Sequence, residues 1–185
     1  MRCNMVPKII DSIEDKIFAA AFKLFSEKGY DRVSMKIVAK EVGIAVGTLY
    51  NYHSNKQQLF LTVLKKNIKQ TYFILNDIIE KDDGDTHEFV SALYDETLRI
   101  RKFIEEIIKN SKRHEIFKLK EDLLKVMRDL IDKIKEKKNL KISEKTEERI
   151  IRLLLLTIID FAKEFPEERE ENINFISNTI NTITS

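Results

Sequence analysis

The chain has 185 residues and a mass of 21.8 kDa, 43% of it hydrophobic and 35% charged, enough for one or two domains with buried cores, which excludes a disordered tail. Four glycines and two prolines make about 3% of the residues against roughly 12% in average proteins, so hairpin-rich sheets and glycine-rich phosphate loops are excluded and long helices joined by short turns are expected. The overall charge of +2 predicts no polyanion partner by itself, but residues 1–60 hold nine basic and six acidic groups, a local net of +3.

Cys3 is the only cysteine, so no disulfide framework and no cysteine-based zinc site can form within one chain. Met1–Ile10 contains no apolar segment of signal-peptide length, and the longest purely apolar run near the other end is Leu153–Leu156. The expectation is a cytoplasmic protein in a reducing compartment, with no membrane partner.

The first predicted helix spans 13–28. Ser12 and Asp15 resemble a capping box, Ile17, Ala20, Ala21, Leu24 and Phe25 recur at helical spacing, and Gly29 supplies the stop. Ser34 is placed to cap a short second helix that ends at Gly43. Only Gly43, Ile44 and Ala45 separate it from a third, Val46 to Tyr52, and two short helices across such a turn have the geometry of a helix-turn-helix. Ser54 with Gln57 reads as another capping box, opening a helix of about 26 residues through Ile79. After an acidic loop around Asp82–Thr86, helices are expected from Phe89 to about Ile108, across Ile116–Ile134, and from Ser143 to Phe165, the last apolar at 11 of 16 positions from Ile150 onward and so covered on most sides. Pro166 suits the first turn of a final helix, 167–183, whose Ile173, Ile176, Ile180 and Ile183 form a narrow seam needing a partner.

The stretch Val33–Phe60, VSMKIVAKEVGIAVGTLYNYHSNKQQLF, carries the chemistry. A helix that lies in the major groove needs small residues where backbone nears DNA, here Ala45, Val46, Gly47 and Thr48, and polar groups where bases and phosphates are reached, here Thr48, Tyr50, Asn51 and Tyr52. Ser34 and Lys36 open the second helix and Lys56 opens the fourth, where anions bind best.

With F-x-x-x-G-Y-D before it, I-x-x-x-x-x-G-I-A-x-G-T-L-Y-x-Y and N-K-x-x-L-F, residues 11–71 resemble the DNA-binding domain of the TetR family of transcriptional regulators. The resemblance implies phosphate contacts at Ser34, Tyr50 and Lys56, and base or groove contacts at Val46, Gly47, Thr48, Asn51 and Tyr52. Ser34 stands where threonine is commoner, Ala45 where serine is frequent, and His53 where phenylalanine is usual.

The resulting expectation is an all-α chain: an N-terminal three-helix helix-turn-helix DNA-binding domain over 11–71, its motif at about 34–53, and a C-terminal helical effector-binding and dimerisation bundle over 72–185. It would act as a homodimer joined through its two C-terminal helices, binding double-stranded DNA at a near-palindromic operator, most simply as a repressor released by an effector. In the resembled family the second domain usually encloses an effector pocket. Tyr72, Phe89, Tyr94, Phe103, Phe117, Met127 and Phe161 are candidates to line a cavity for an apolar or amphipathic small molecule. An activator, a regulator answering to a partner, and a helical adaptor that has lost DNA binding are alternatives. The last fits poorly with the intact Gly47-Thr48-Leu49-Tyr50 and the local charge.

No metal, cofactor or catalytic group is expected. Asp82, Asp83, Asp85, His87 and Glu88 lack the EF-hand order, His114-Glu115 is not followed by the second histidine of H-E-x-x-H, and no G-x-S-x-G occurs.

Overall fold

The computed structural model describes residues 12–81, 85–109 and 114–184, without the side chains of residues 104, 107, 108, 114–117, 119 and 120. Cys3, the loop residues Asp82, Asp83 and Gly84, and the Phe117 side chain fall outside the described residues. Eight α-helices and no strands are present among those described: α1 (Ile13–Lys28), α2 (Met35–Val42), α3 (Val46–Tyr52), α4 (Lys56–Lys81), α5 (Thr86–Lys109), α6 (His114–Lys138), α7 (Glu144–Glu164) and α8 (Arg169–Thr184). The chain divides into two compact units, and the division falls between Leu64 and Lys65, inside α4.

In the first unit the local signals act as the sequence predicts. Ser12 Oγ accepts the Asp15 N–H at 3.1 Å, Ser34 Oγ accepts the Ile37 N–H at 3.3 Å, and Gly43 closes α2 in the left-handed region at φ 78°, ψ 32°. Ile17, Leu24, Val38 and Leu49 are buried. Phe25 meets Phe60 edge-on at 5.2 Å and Tyr30 meets the same ring at 4.9 Å, so the turn after α1 is held to the start of α4 by an aromatic cluster.

The opening of α4 differs by one residue from expectation. Asn55, not Ser54, is the cap: its Oδ1 accepts the Gln58 N–H at 2.9 Å and its carbonyl accepts the Leu59 N–H at 3.1 Å. Ser54-x-x-Gln57 and Asn55-x-x-Gln58 both satisfy the capping-box spacing, and the structure uses Asn55.

The second unit packs α5, α7 and α8 most closely, around Leu75, Phe89, Val90, Leu93, Tyr94, Leu130, Ile151, Leu154, Ile158, Ile173 and Ile176. Three expectations about α7 and α8 are corrected. Pro166 does not enter α8 but occupies the turn before it, where the Phe165 carbonyl accepts the Glu168 N–H at 3.2 Å, and α8 starts at Arg169. Ile173 and Ile176 are buried by their own chain, so this half of the seam needs no second molecule, whereas Ile183 stays exposed. The outer side of these helices is open instead: Leu156 is 58% exposed and Phe175 59%, so α7 is not covered on most sides within one chain.

Long polar side chains tie α4 to its neighbours in this unit. Arg99 donates to Asn67 Oδ1 at 2.6 Å and to Glu96, and Lys133 donates to Asn76 Oδ1 at 2.6 Å and to the Tyr72 hydroxyl at 2.9 Å. Two residues further along α6, Lys135 meets the buried Glu147 carboxylate at 2.8 Å. The bonds to Glu147 and Asp132 hold the Lys135 ammonium above the usual lysine range. Among the described residues no helix is long and apolar enough to cross a membrane.

Candidate nucleic-acid interface and internal cavity

A helix advances about 100° per residue, so in α3 the residues two before and two after Leu49 stand roughly opposite it. Leu49 is fully buried and is the single buried residue of α3. Gly47 and Asn51 are therefore at the centre of the outward face, with Tyr50 on one flank and Thr48 and Tyr52 on the other. Val46, Gly47, Tyr50, Asn51 and Tyr52 are all exposed, and Thr48 is half-buried. Tyr50 presents nearly half of its surface to solvent, which a ring with core-packing duties would not do.

The other sequence-selected groups lie at the starts of α2, α3 and α4. Ala45 precedes α3 and its carbonyl, not its side chain, accepts the Thr48 N–H at 3.0 Å, so no hydroxyl cap is needed there. Ser34 and Lys36 are exposed at the start of α2. The Ser34 oxygen is an acceptor within its cap, which leaves its own O–H able to donate outward.

Lys56 is placed differently from a freely projecting cation. Its Nζ donates to the Tyr30 carbonyl at 3.0 Å and sits 4.0 Å from the Tyr30 ring centroid, so the ammonium links the start of α4 to the turn after α1 and keeps further N–H groups for an anion. Lys23 and Glu41 pair at 2.8 Å across α1 and α2. Their shared hydrogen bond holds the lysine above and the carboxyl below their ordinary values, but both are exposed and the pair adds little stability.

Gly47 is informative because nothing in the chain requires it. A Cβ built there meets no atom within 4 Å, and its backbone is ordinary helix. Glycine in a helix costs roughly 0.5–1 kcal/mol relative to alanine, so this position sacrifices stability with no return inside the molecule.

Sequence reasoning missed the side-chain contacts just after α3. Gln58 Oε1 accepts the Ser54 N–H at 3.1 Å and lies 3.1 Å from His53 Nδ1, bridging the turn between α3 and α4. The signal was present as the second of two overlapping capping boxes.

The aromatic residues selected in the second unit are not gathered round one cavity. Phe89 lines an apolar cavity of about 60 Å³ whose other walls are mainly aliphatic, among them Ile79, Ile131, Ile150, Leu154 and Ile180. Met127 lines a separate space of about 20 Å³ beside Leu75 and Thr97. Tyr94 is core, its hydroxyl accepting from Asn172 Nδ2 at 3.2 Å, and Phe103 is wholly buried. Tyr72 reaches outward to donate to Asp129 at 2.9 Å, and Phe161 turns to the open side of α7, 5.8 Å from Phe165 and 5.6 Å from Phe175. The aliphatic walls could not have been told from ordinary core in the sequence.

Residues 17–63 match the family model described as bacterial regulatory proteins, tetR family. The HTH-type transcriptional regulator HbdR of Aromatoleum sp. (strain CIB) is 37% identical over 82 residues, covering 44% of this chain and 34% of that protein. The Staphylococcus aureus regulator IcaR, described as the HTH-type negative transcriptional regulator of the biofilm operon icaADBC, is 33% identical over 82 residues, covering 44% of this chain and 42% of IcaR. The match thus spans well under half the length of either relative. Bacillus subtilis FadR, a transcriptional regulator solved in complex with stearoyl-CoA, shares the fold over 92% of this chain and 97% of its own, with a TM-score of 0.63 at 16% identity. Residues 17–63, which hold the helix-turn-helix head, thus match the tetR family of bacterial regulatory proteins, and the fold of the chain is shared with FadR.

Proposed function

We propose that this protein is a DNA-binding transcriptional repressor that works as a homodimer and leaves its operator when a small effector occupies the second unit. The observation that carries the DNA-reading part is Gly47: a helical glycine with open space around it, at the centre of an exposed face of hydroxyl, amide and aromatic groups, is explained by a partner that approaches the backbone closely. Val46, Gly47, Thr48, Asn51 and Tyr52 would meet base edges or groove walls. Ser34, Lys36, Tyr50 and Lys56 would frame the phosphates, Lys56 through the N–H groups its Tyr30 contact leaves over, and the small Ala45 would let the backbone come near the DNA.

The homodimer reading draws support from α7 and α8, where Leu156, Phe165, Phe175 and Ile183 are exposed although each is a large apolar side chain. These residues, rather than the buried Ile173 and Ile176, would pair with their symmetry mates. Two recognition helices would then address half-sites about 34 Å apart, or a multiple of that distance.

The effector reading draws support from the cavity beside Phe89. At about 60 Å³ it is smaller than the roughly 300–1,000 Å³ of ordinary ligand sites, so an apolar or amphipathic effector would have to spread α5, α6, α7 and α8 to enter. An effector that prefers the spread form shifts the population toward it, and the coupling to DNA would be typically 1–3 kcal/mol. The negative regulation named for IcaR and the acyl-CoA bound to FadR are the precedents for sign and ligand type.

The test is fluorescence anisotropy on a duplex selected from random DNA. Binding should weaken with log salt at about 0.9 per phosphate contacted, and a metabolite panel should contain a compound that lowers affinity roughly 5- to 150-fold. A salt-independent affinity would end the DNA reading. If DNA binds but no compound alters it, the effector reading ends alone.

A further inference from the structure

A helix of seven residues does not hold its shape or direction without outside contacts, and α3 buries only Leu49. One anchor leaves the helix free to swivel about it, so the ends decide where its outward face points. Its start follows directly from the Gly43 turn. Its C-terminal end is met by a side chain from α4.

We propose that His53 and Gln58 form a clasp that positions the recognition helix, with His53 acting through its Nδ1–H and not through a contact to DNA. The proposal rests on the DNA-reading role of α3 given above. The hydrogen-bond logic fixes the direction of each bond. A backbone N–H can only donate, so the Gln58 amide atom facing the Ser54 N–H at 3.1 Å is its carbonyl oxygen. The same oxygen lies 3.1 Å from His53 Nδ1, which must therefore carry the hydrogen. That nitrogen is a donor in this neutral tautomer and in the imidazolium alike.

The clasp is anchored on both sides. The His53 N–H donates to the Leu49 carbonyl at 3.0 Å, tying the ring's own backbone to the buried residue of α3. Gln58 is fixed by Asn55 Oδ1, which accepts its N–H at 2.9 Å at the start of α4. One oxygen thus connects the end of the reading helix to the first turn of the helix that follows it. A phenylalanine at residue 53 could fill the same space but could not make the bond.

Amide side chains separate the two ring nitrogens. The Nδ2 of His53→Asn occupies the place of Nδ1, whereas the Nε2 of His53→Gln reaches the place of ring Nε2. These two variants, His53→Phe, Gln58→Met and the Phe/Met double variant would be measured for affinity to the selected duplex, and for amide hydrogen exchange at residues 49–53 in DNA-free protein.

One hydrogen bond of ordinary strength corresponds to about three- to tenfold. We expect His53→Asn to stay within about twofold of the parent, while His53→Gln, His53→Phe and Gln58→Met lose that three- to tenfold in affinity and exchange faster by a similar factor. The double variant should lose no more than Gln58→Met alone. Retention by His53→Gln with loss by His53→Asn would overturn the clasp in favour of an Nε2 contact. Additive losses, or unchanged exchange in all variants, would overturn it as well. Parent protein that binds no duplex would defeat the DNA reading, and the exchange measurement would still decide the clasp.

Discussion

Replacing Gly47 with alanine separates what the chain needs from what its partner needs. In the free protein the new methyl group meets no atom within 4 Å and the backbone is already helical, so the substitution should raise stability by the helix-propensity difference, about 0.5–1 kcal/mol. For a chain of this size that is a rise of about 1–4 °C in Tm, readable by circular dichroism at 222 nm. Against DNA the same methyl would stand at the centre of the exposed face of α3, opposite Leu49. Forcing an extra carbon into a close-packed contact costs about 1–3 kcal/mol, hence roughly 5- to 150-fold in affinity for the selected duplex. Stability and binding should move in opposite directions. A Gly47→Ala protein that melts higher and binds as tightly as the parent would refute the close approach, and one that melts lower would refute the claim that the site is empty.

Other outcomes follow from the same geometry. Tyr50→Phe removes one hydroxyl and should weaken operator binding by about fivefold with no change in melting, while Lys36→Ala should lower the salt slope by about 0.9. Leu156→Glu with Phe175→Lys places charges on the exposed side of α7 and α8; light scattering should show a monomer of unchanged helicity, and a persisting dimer would move the interface elsewhere. Lys135→Met leaves the buried Glu147 carboxylate without its lysine and should cost about 1–3 kcal/mol. Because Lys135 is held above its ordinary value, that contribution should be constant from about pH 6 to 9 and disappear only as the pH climbs through the raised value, so melting curves of the two proteins should converge at the alkaline end. Ile131→Phe should fill the cavity beside Phe89 and abolish the response to effector while sparing DNA binding.

The head of the molecule was legible because its signals are local. Ser12 and Ser34 act on amides three residues away, and Gly43 takes a left-handed conformation that few other residues tolerate, so neither depends on distant packing. Where two local signals overlap, sequence cannot choose: Ser54 and Asn55 both fit a capping box, and only the fold shows that Asn55 is the cap. The C-terminal region was legible only as helical. Whether Ile173 faces a partner or its own core depends on where α5 lies, and α5 comes from some seventy residues earlier in the chain. For the same reason Tyr72 and Phe161 looked equivalent to Phe89 as pocket residues, although a hydroxyl that can reach Asp129 draws one outward and an open helix side holds the other. Lys56 shows the opposite limit: its residue type suggested a phosphate ligand, and only the fold reveals the Tyr30 carbonyl and ring that share its ammonium.

The central claim, that the exposed face of α3 reads DNA sequence, is tested most directly by selecting duplexes from a random pool with the parent protein and measuring the affinity of the winner against an unselected duplex at the same salt. The account predicts a near-palindrome whose half-sites are spaced by about 10 base pairs or a multiple, bound roughly 10³-fold or more tighter than unselected DNA. A pool that fails to converge, or a winner bound no better than random sequence, would contradict it.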